Sequence, residues 1–147
     1  MPQNLVTRVQ GRQFDFLEPS RHPNFAREDH IHVPAAAPGT TVTYPIGQIV
    51  RQKDDGTNEF AKEGTGGYTG PARIVKHAFT VDENRHYQQG TSWRDGVLVS
   101  THSRNAYFIG YFKTQDLVGL TEANFADGTI GKPVRGTYTA GEILIGT

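Results

Sequence analysis

Two histidines near the start of the chain have the spacing of a metal site. His30 and His32 flank Ile31, and side chains at positions i and i+2 of a strand point to the same side. Imidazole is a ligand for zinc, copper and iron. A site of this kind also needs a carboxylate soon afterwards, whereas no acidic residue follows His32 until Asp54. The pattern is therefore only a partial match to a metal centre.

The other residues with catalytic chemistry lack the partners that catalysis needs. His102 precedes Ser103 and His86 follows several acidic residues, but a catalytic triad also needs a third group that orients the base. Four carboxylates fall in predicted turns, where such groups cap backbone donors and remain solvated: Asp54, Asp55, Asp82 and Glu83. We therefore expect no catalytic residue, no metal ligand, no cofactor and no enzymatic activity.

A glycine-rich stretch from Lys62 to Gly70 invites comparison with a phosphate-binding loop. Such a loop requires a lysine and a hydroxyl residue directly after its glycines, at the N-terminus of a helix. Here Pro71 leads instead into the strand-like residues 72–81. The stretch predicts a flexible surface loop.

Composition excludes several classes of function. The 147 residues carry 15 Lys plus Arg and 15 Asp plus Glu, so we expect no direct binding to nucleic acid. The absence of cysteine removes disulfides and thiolate chemistry and fits synthesis in a reducing cytosol. We also expect neither a signal peptide nor a membrane span, because no basic segment precedes an apolar run and no long apolar run occurs.

The stretch from Ala106 to Leu117 has the clearest strand pattern and predicts the central strand of a sheet. Alternation places Phe108, Gly110 and Phe112 on one face and three other apolar residues on the opposite face: Tyr107, Ile109 and Tyr111. A strand that is apolar on both sides needs a core behind it and a second cover in front. A second subunit is one source of that cover.

Residues 1–39 differ from the rest of the chain and predict an extended N-terminal arm. They contain five of the eight prolines, which disfavour long helices and central strands. Their scattered apolar residues need a surface to bind, and we expect that surface to belong to a neighbouring subunit, so that deleting residues 1–35 leaves a folded domain. An arm folded back onto its own domain is the alternative. From residue 40 to residue 147, short strands alternate with glycine turns, which predicts a mainly β domain, a small antiparallel β-barrel or sandwich.

Three stretches resemble the head decoration, or cement, proteins of tailed double-stranded DNA bacteriophages. They are Pro45–Val50, Gly70–Val75 and Ile109–Leu117. The resemblance implies a structural virion protein that is made in the host cytoplasm and sits on the exterior of the capsid. It also implies the major capsid protein as partner, a homotrimer, and a function in stabilising the shell against the pressure of the packaged DNA.

These expectations define a candidate capsid or subunit interface on the arm and the central strand. Its residues are Leu5, Val6, Phe14, Phe16, Leu17, Phe25, Tyr107, Ile109 and Tyr111. Two alternatives remain. One is a cupin-like metal-dependent enzyme or small-ligand-binding β-barrel that uses His30 and His32, and the other is a different virion component, such as a tail or neck domain.

Overall fold

Short antiparallel strands form most of the regular structure in this computed structural model, which describes residues 16–89, 91–94, 97–100 and 104–146. The strands are β1 (Arg27–His30), β2 (Thr41–Tyr44), β3 (Ile49–Gln52), β4 (Phe60–Lys62), β5 (Ala72–Val75), β6 (Phe79–Asp82), β7 (Tyr87–Gln89), β8 (Thr91–Arg94), β9 (Val97–Ser100), β10 (Asn105–Lys113), β11 (Lys132–Gly136) and β12 (Gly141–Ile145). One α-helix, α1 (Glu122–Ala126), and two 3₁₀ turns, Pro23–Phe25 and Thr114–Asp116, complete the described elements. No helix in these residues is long and apolar enough to cross a membrane.

The strands are arranged in three antiparallel sheets. The main, seven-stranded sheet has the order β11-β12-β10-β5-β3-β4, with β1 also paired to β10. A three-stranded sheet has the order β2-β6-β7, and β8 and β9 form a separate hairpin. The prediction of a mainly β, antiparallel fold is confirmed. The sheets are not closed into a barrel, so of the two predicted architectures, barrel and sandwich, the sandwich fits better.

Strand β10 is the centre of the main sheet, as its sequence predicts. It spans nine residues and pairs with β12 through its second half and with β1 and β5 through its first half. A β-bulge lies between the halves, because Tyr107 pairs with Glu28 while Ile109 pairs with Arg27 and leaves Phe108 without an opposite residue. An extra residue reverses the alternation of side chains. The predicted faces are therefore wrong for Tyr107, which belongs to the same core cluster as Phe112.

Around β3 and the first half of β10, both faces of the main sheet are covered by the chain itself. Ile49 of β3 faces one core cluster and the adjacent Val50 faces the other. The three-stranded sheet covers the second cluster with Tyr44, Phe79 and Val81. The cover over the first half of β10 thus comes from within the chain, and no second subunit is needed there.

The described part of the predicted arm, residues 16–39, is built into the same packed unit. Leu17, Ile31 and Val33 have no exposed surface, and they belong to the two core clusters. Strand β1 lies in the same segment and adds to the main sheet. For these residues the arm folds back onto its own domain, because the three apolar side chains find their partners there.

The region after β10 contains the short helix α1, which packs against the core. Thr121 caps α1, since its side-chain oxygen accepts a hydrogen bond from the Asn124 N–H while the Asn124 side chain accepts one from the Thr121 N–H. Phe125 is buried and Leu117 and Leu120 pack against the same cluster. The helix therefore closes one side of the core.

Candidate functional site

The arm segment, which we define as residues 16–33, is fixed to the central strand by hydrogen bonds around Leu17. The Leu17 N–H donates to the Lys76 carbonyl oxygen at 2.9 Å. The Tyr107 hydroxyl donates to the Leu17 carbonyl oxygen, also at 2.9 Å. Burial raises the pKa of Tyr107, so its hydroxyl remains protonated and keeps this donor.

A second set of polar contacts holds the arm segment at Glu28. Its carboxylate accepts hydrogen bonds from the Lys76 ammonium at 2.7 Å and from the Asn105 amide at 2.5 Å. Burial raises the pKa of Glu28, but these hydrogen bonds and the charge of Lys76 more than offset that effect, so the pKa lies below its ordinary value. The carboxylate is therefore ionised at neutral pH and forms a salt bridge with Lys76.

Glu142 of β12 holds the arm segment from the other side of β10. It is almost fully buried, and its carboxylate accepts a hydrogen bond from the Ser20 hydroxyl at 2.5 Å. Arg21 lies 3.1 Å and Arg135 lies 3.6 Å from the same carboxylate. The Ser20 N–H also donates to the carbonyl oxygen of Tyr111, so backbone and side chains together fix this part of the arm segment.

This fixed backbone then turns and exposes an aromatic ring. His22 has a positive φ of 50°, and Pro23 begins the 3₁₀ turn that the Phe25 N–H closes by donating to the His22 carbonyl oxygen. The turn leaves Phe25 with 42% of its surface exposed. An exposed aromatic ring on a hydrogen-bonded turn is a candidate contact residue.

An open aromatic groove of about 730 Å³ lies between this turn and the central strand. We define it by its lining residues, which are His22, Pro23, Asn24, Phe25, Arg27 and Tyr111. The Tyr111 ring is its centre, with the His22 ring at 5.7 Å and the Phe25 ring at 5.8 Å between centroids. The Arg21 guanidinium lies 4.3 Å from the same centroid, in position for a cation–π contact.

The groove brings together some of the predicted interface residues and separates others. Phe25 and Tyr111 line it, and Ile109 lies on the same face of β10 as Tyr111. Leu17 and Tyr107 instead lie in the core of this chain, with 0% and 4% of their surface exposed. Phe16 is half-buried beside His77.

Three of the predicted interface residues, Leu5, Val6 and Phe14, lie outside the described residues. Arg21, His22 and Glu142 are not among the residues predicted from the sequence. An Arg-His pair before a proline gives no signal of a groove, and the position of Glu142 depends on the pairing of β12 with β10.

The two histidines of the possible metal site are exposed on either side of the buried Ile31. His30 lies at the end of β1, opposite Asn105, while the backbone of His32 bridges to Glu59. Among the described residues, no three His, Cys, Asp or Glu side chains are grouped as a metal ion would require. His86 is exposed, with its Nδ1 3.4 Å from Asp82, and His102 and Ser103 lie outside the described residues.

The glycine-rich stretch is a surface loop that a single buried side chain holds in place. The Arg51 guanidinium donates to the carbonyl oxygens of Thr69 and Gly70 at 2.7 and 2.6 Å and pairs with Glu63 at 2.9 Å. Asp54 accepts hydrogen bonds from the Thr69 N–H and hydroxyl. The backbone groups of this loop are thus used for internal contacts, which gives it a structural role.

Comparisons with known proteins identify no relative of this chain. No protein-family model matches it, and neither the curated proteins nor the solved structures contain a match.

Proposed function

We propose that this chain is a structural protein that binds a protein surface through the aromatic groove. The observation that carries the proposal is that the exposed ring of Phe25 and the partly exposed ring of Tyr111 lie 5.8 Å apart on a backbone fixed by hydrogen bonds. Aromatic residues and arginine contribute most of the binding energy at protein interfaces. A contact residue that is already rigid also loses little entropy on binding.

We further propose that the bound surface is the exterior of a phage head. In this proposal the chain is a capsid decoration protein, its partner is the major capsid protein, and it acts as a homotrimer or a similar cyclic oligomer. The support is the resemblance of residues 45–50, 70–75 and 109–117 to cement proteins, together with a groove on the last of these stretches. Added interface area between capsid subunits would then resist the pressure of the packaged DNA.

The test is binding to phage heads that lack this protein. The double variant Phe25→Ala/Tyr111→Ala removes both rings of the groove, and we expect its dissociation constant on the heads to rise at least tenfold. Tyr138→Ala is the matched control, since Tyr138 is a similarly exposed aromatic residue on the turn between β11 and β12. The proposal is wrong if the native protein does not bind the heads, or if the two variants bind equally well.

A further inference from the structure

The main sheet has a strongly basic outer face near β11. In the paired strands, Phe112 lies opposite Ile143 and both are buried, so Tyr111 and its partner Leu144 point outward. The pairing of the strands identifies the other residues that point to the same side as Tyr111 and Leu144. Its exposed cations at the β11 edge, which we call the basic face, are Lys113, Lys132 and Arg135.

On β11, β12 and the second half of β10, one carboxylate shares this side of the sheet, and it is already neutralised. Glu142 lies opposite Lys113 and Arg135, and it is buried beneath Arg21 and Arg135. It therefore cannot compensate the remaining positive charge. An anionic surface is the partner that such a face attracts.

The opposite end of the main sheet carries the complementary charge. The turn between β3 and β4 and the turn after β6 lie side by side, because Arg85 of the second is 3.6 Å from Glu59 of the first. We define the acidic end as the carboxylates of these two turns: Asp54, Asp55, Glu59, Asp82 and Glu83. Two cations, Lys53 and Arg85, lie among these carboxylates.

Local hydrogen bonds keep the acidic end ionised. The Asp54 carboxylate accepts from the Thr69 side chain and N–H, and the Asp55 carboxylate accepts from the Thr57 N–H. These bonds hold both pKa values below the ordinary range. Hydrogen bonds from the backbone N–H groups of His86 and Asn84 likewise hold the pKa of Asp82 below its ordinary range.

The two charged regions lie at opposite ends of the strand order, since β11 is one edge of the main sheet and β4 is the other. We propose that the basic face of one copy of this chain binds the acidic end of a second copy, head to tail. A contact between two different surfaces of identical chains can close into a ring. The inference thus deepens the oligomer in the proposed function by naming the surfaces in contact.

The edge strand β11 favours side-chain contacts over strand pairing between copies. Pro133 lies within it and lacks an N–H donor, and the pairing with β12 shifts in register between Pro133 and Arg135. Proline, bulges and charged residues at an edge hinder the addition of another strand. The copies should therefore associate through charge, and their affinity should fall with salt.

Sedimentation equilibrium of the native chain at low salt and at about 1 M NaCl, where the Debye length is about 3 Å, tests the inference. We expect oligomers at low salt and at least a tenfold larger dissociation constant at high salt. Lys113→Glu/Lys132→Glu and, separately, Asp54→Lys/Asp55→Lys should each give monomers. Combining all four substitutions should restore part of the association, because the two surfaces again have opposite net charges, each smaller than in the native chain.

Glu122→Lys/Asp127→Lys is the matched control, since both residues are exposed on or beside α1, which packs on the side of the main sheet opposite to the basic face. Circular dichroism and thermal melting establish whether each variant folds. If Lys113→Glu/Lys132→Glu does not fold, Lys113→Gln/Lys132→Gln replaces it. A native chain that stays monomeric at all salt concentrations overturns the inference, as does a fourfold variant that associates no better than the two double variants. Binding to phage heads is a separate measurement, so the head-to-tail contact and the proposed function can fail independently.

Discussion

The rings of Tyr107 and Phe112 lie 5.1 Å apart between centroids at an angle of 52°, although the two residues are an odd number of positions apart on one strand. A regular strand would place them on opposite faces. The bulge at Phe108 returns Tyr107 to the side of Phe112. Gly110 completes the arrangement, because a side chain there would lie within 3.0 Å of the Phe112 ring. The bulge therefore turns the Tyr107 hydroxyl towards the arm segment.

Tyr107→Phe should lower the free energy of unfolding by about 1 to 2 kcal/mol, because it removes one hydrogen bond and leaves the buried Leu17 carbonyl without that donor. The ring contact with Phe112 is kept. Tyr111→Phe is the control, since Tyr111 is partly exposed, and its effect should stay within about 0.5 kcal/mol. Urea denaturation measures both, and equal effects would contradict the role of the hydroxyl.

Leu17→Ala should lower the free energy of unfolding by about 2 to 5 kcal/mol, the usual range for a buried leucine that leaves a cavity. Phe25→Ala should change the free energy of unfolding by less than about 1 kcal/mol, because much of that ring is exposed.

Deleting residues 1–35 should unfold the domain, since Leu17, Ile31 and Val33 are lost together. Thermal melting decides this point, and a truncated chain with an unchanged melting temperature would contradict it.

Gly47→Ala should be more damaging than Gly39→Ala by about 2 kcal/mol of overpacking strain. Both glycines have positive φ, 84° and 77°, so both substitutions carry the same backbone penalty. A side chain at Gly47 would overlap the carbonyl oxygen of Asp116, whereas nothing lies within 4 Å at Gly39. Chemical denaturation of the two variants measures the steric contribution as the difference between their free energies of unfolding. Equal losses of stability would exclude that contribution.

The stability of the arm segment should depend on pH through Glu28. Its pKa is lowered in the folded state, so its contribution is present above the unfolded pKa of about 4.3 and is lost as pH falls through the folded value. Glu28→Gln should therefore melt below the native chain at pH 7, and the difference should shrink below pH 4. The exposed Glu18 supplies the control, Glu18→Gln, which should melt like the native chain at pH 7. A difference that is constant with pH would show that charge is not involved.

The sequence predicts the fold class and the central strand because both depend on local patterns: short β-branched and aromatic runs between glycine turns. The sequence does not predict the faces of β10 correctly. The bulge depends on how Phe108 pairs with the neighbouring strand, and nothing in the sequence pattern indicates it. The sequence also places Leu17 at an interface, because an apolar residue among prolines shows a need for burial without showing where the burial occurs.

The candidate site is predicted in part for a similar reason. Phe25 is predicted because an apolar residue in a proline-rich arm needs a surface to bind, and Tyr111 is predicted because its strand is apolar on both faces. Arg21 and Glu142 escape notice, because their salt bridge joins segments that only the folded sheet brings together.

The pairing of β10 has a consequence for how the chain folds. Asn105 bonds to Glu28 across 77 positions and Tyr107 bonds to Leu17 across 90, while the other half of the strand pairs with β12. Contacts between residues so far apart in sequence require large loops to close before they stabilise anything, and this slows folding. We expect the domain to fold in milliseconds to seconds, and until β10 has met both partners its edges remain open to pairing with other chains.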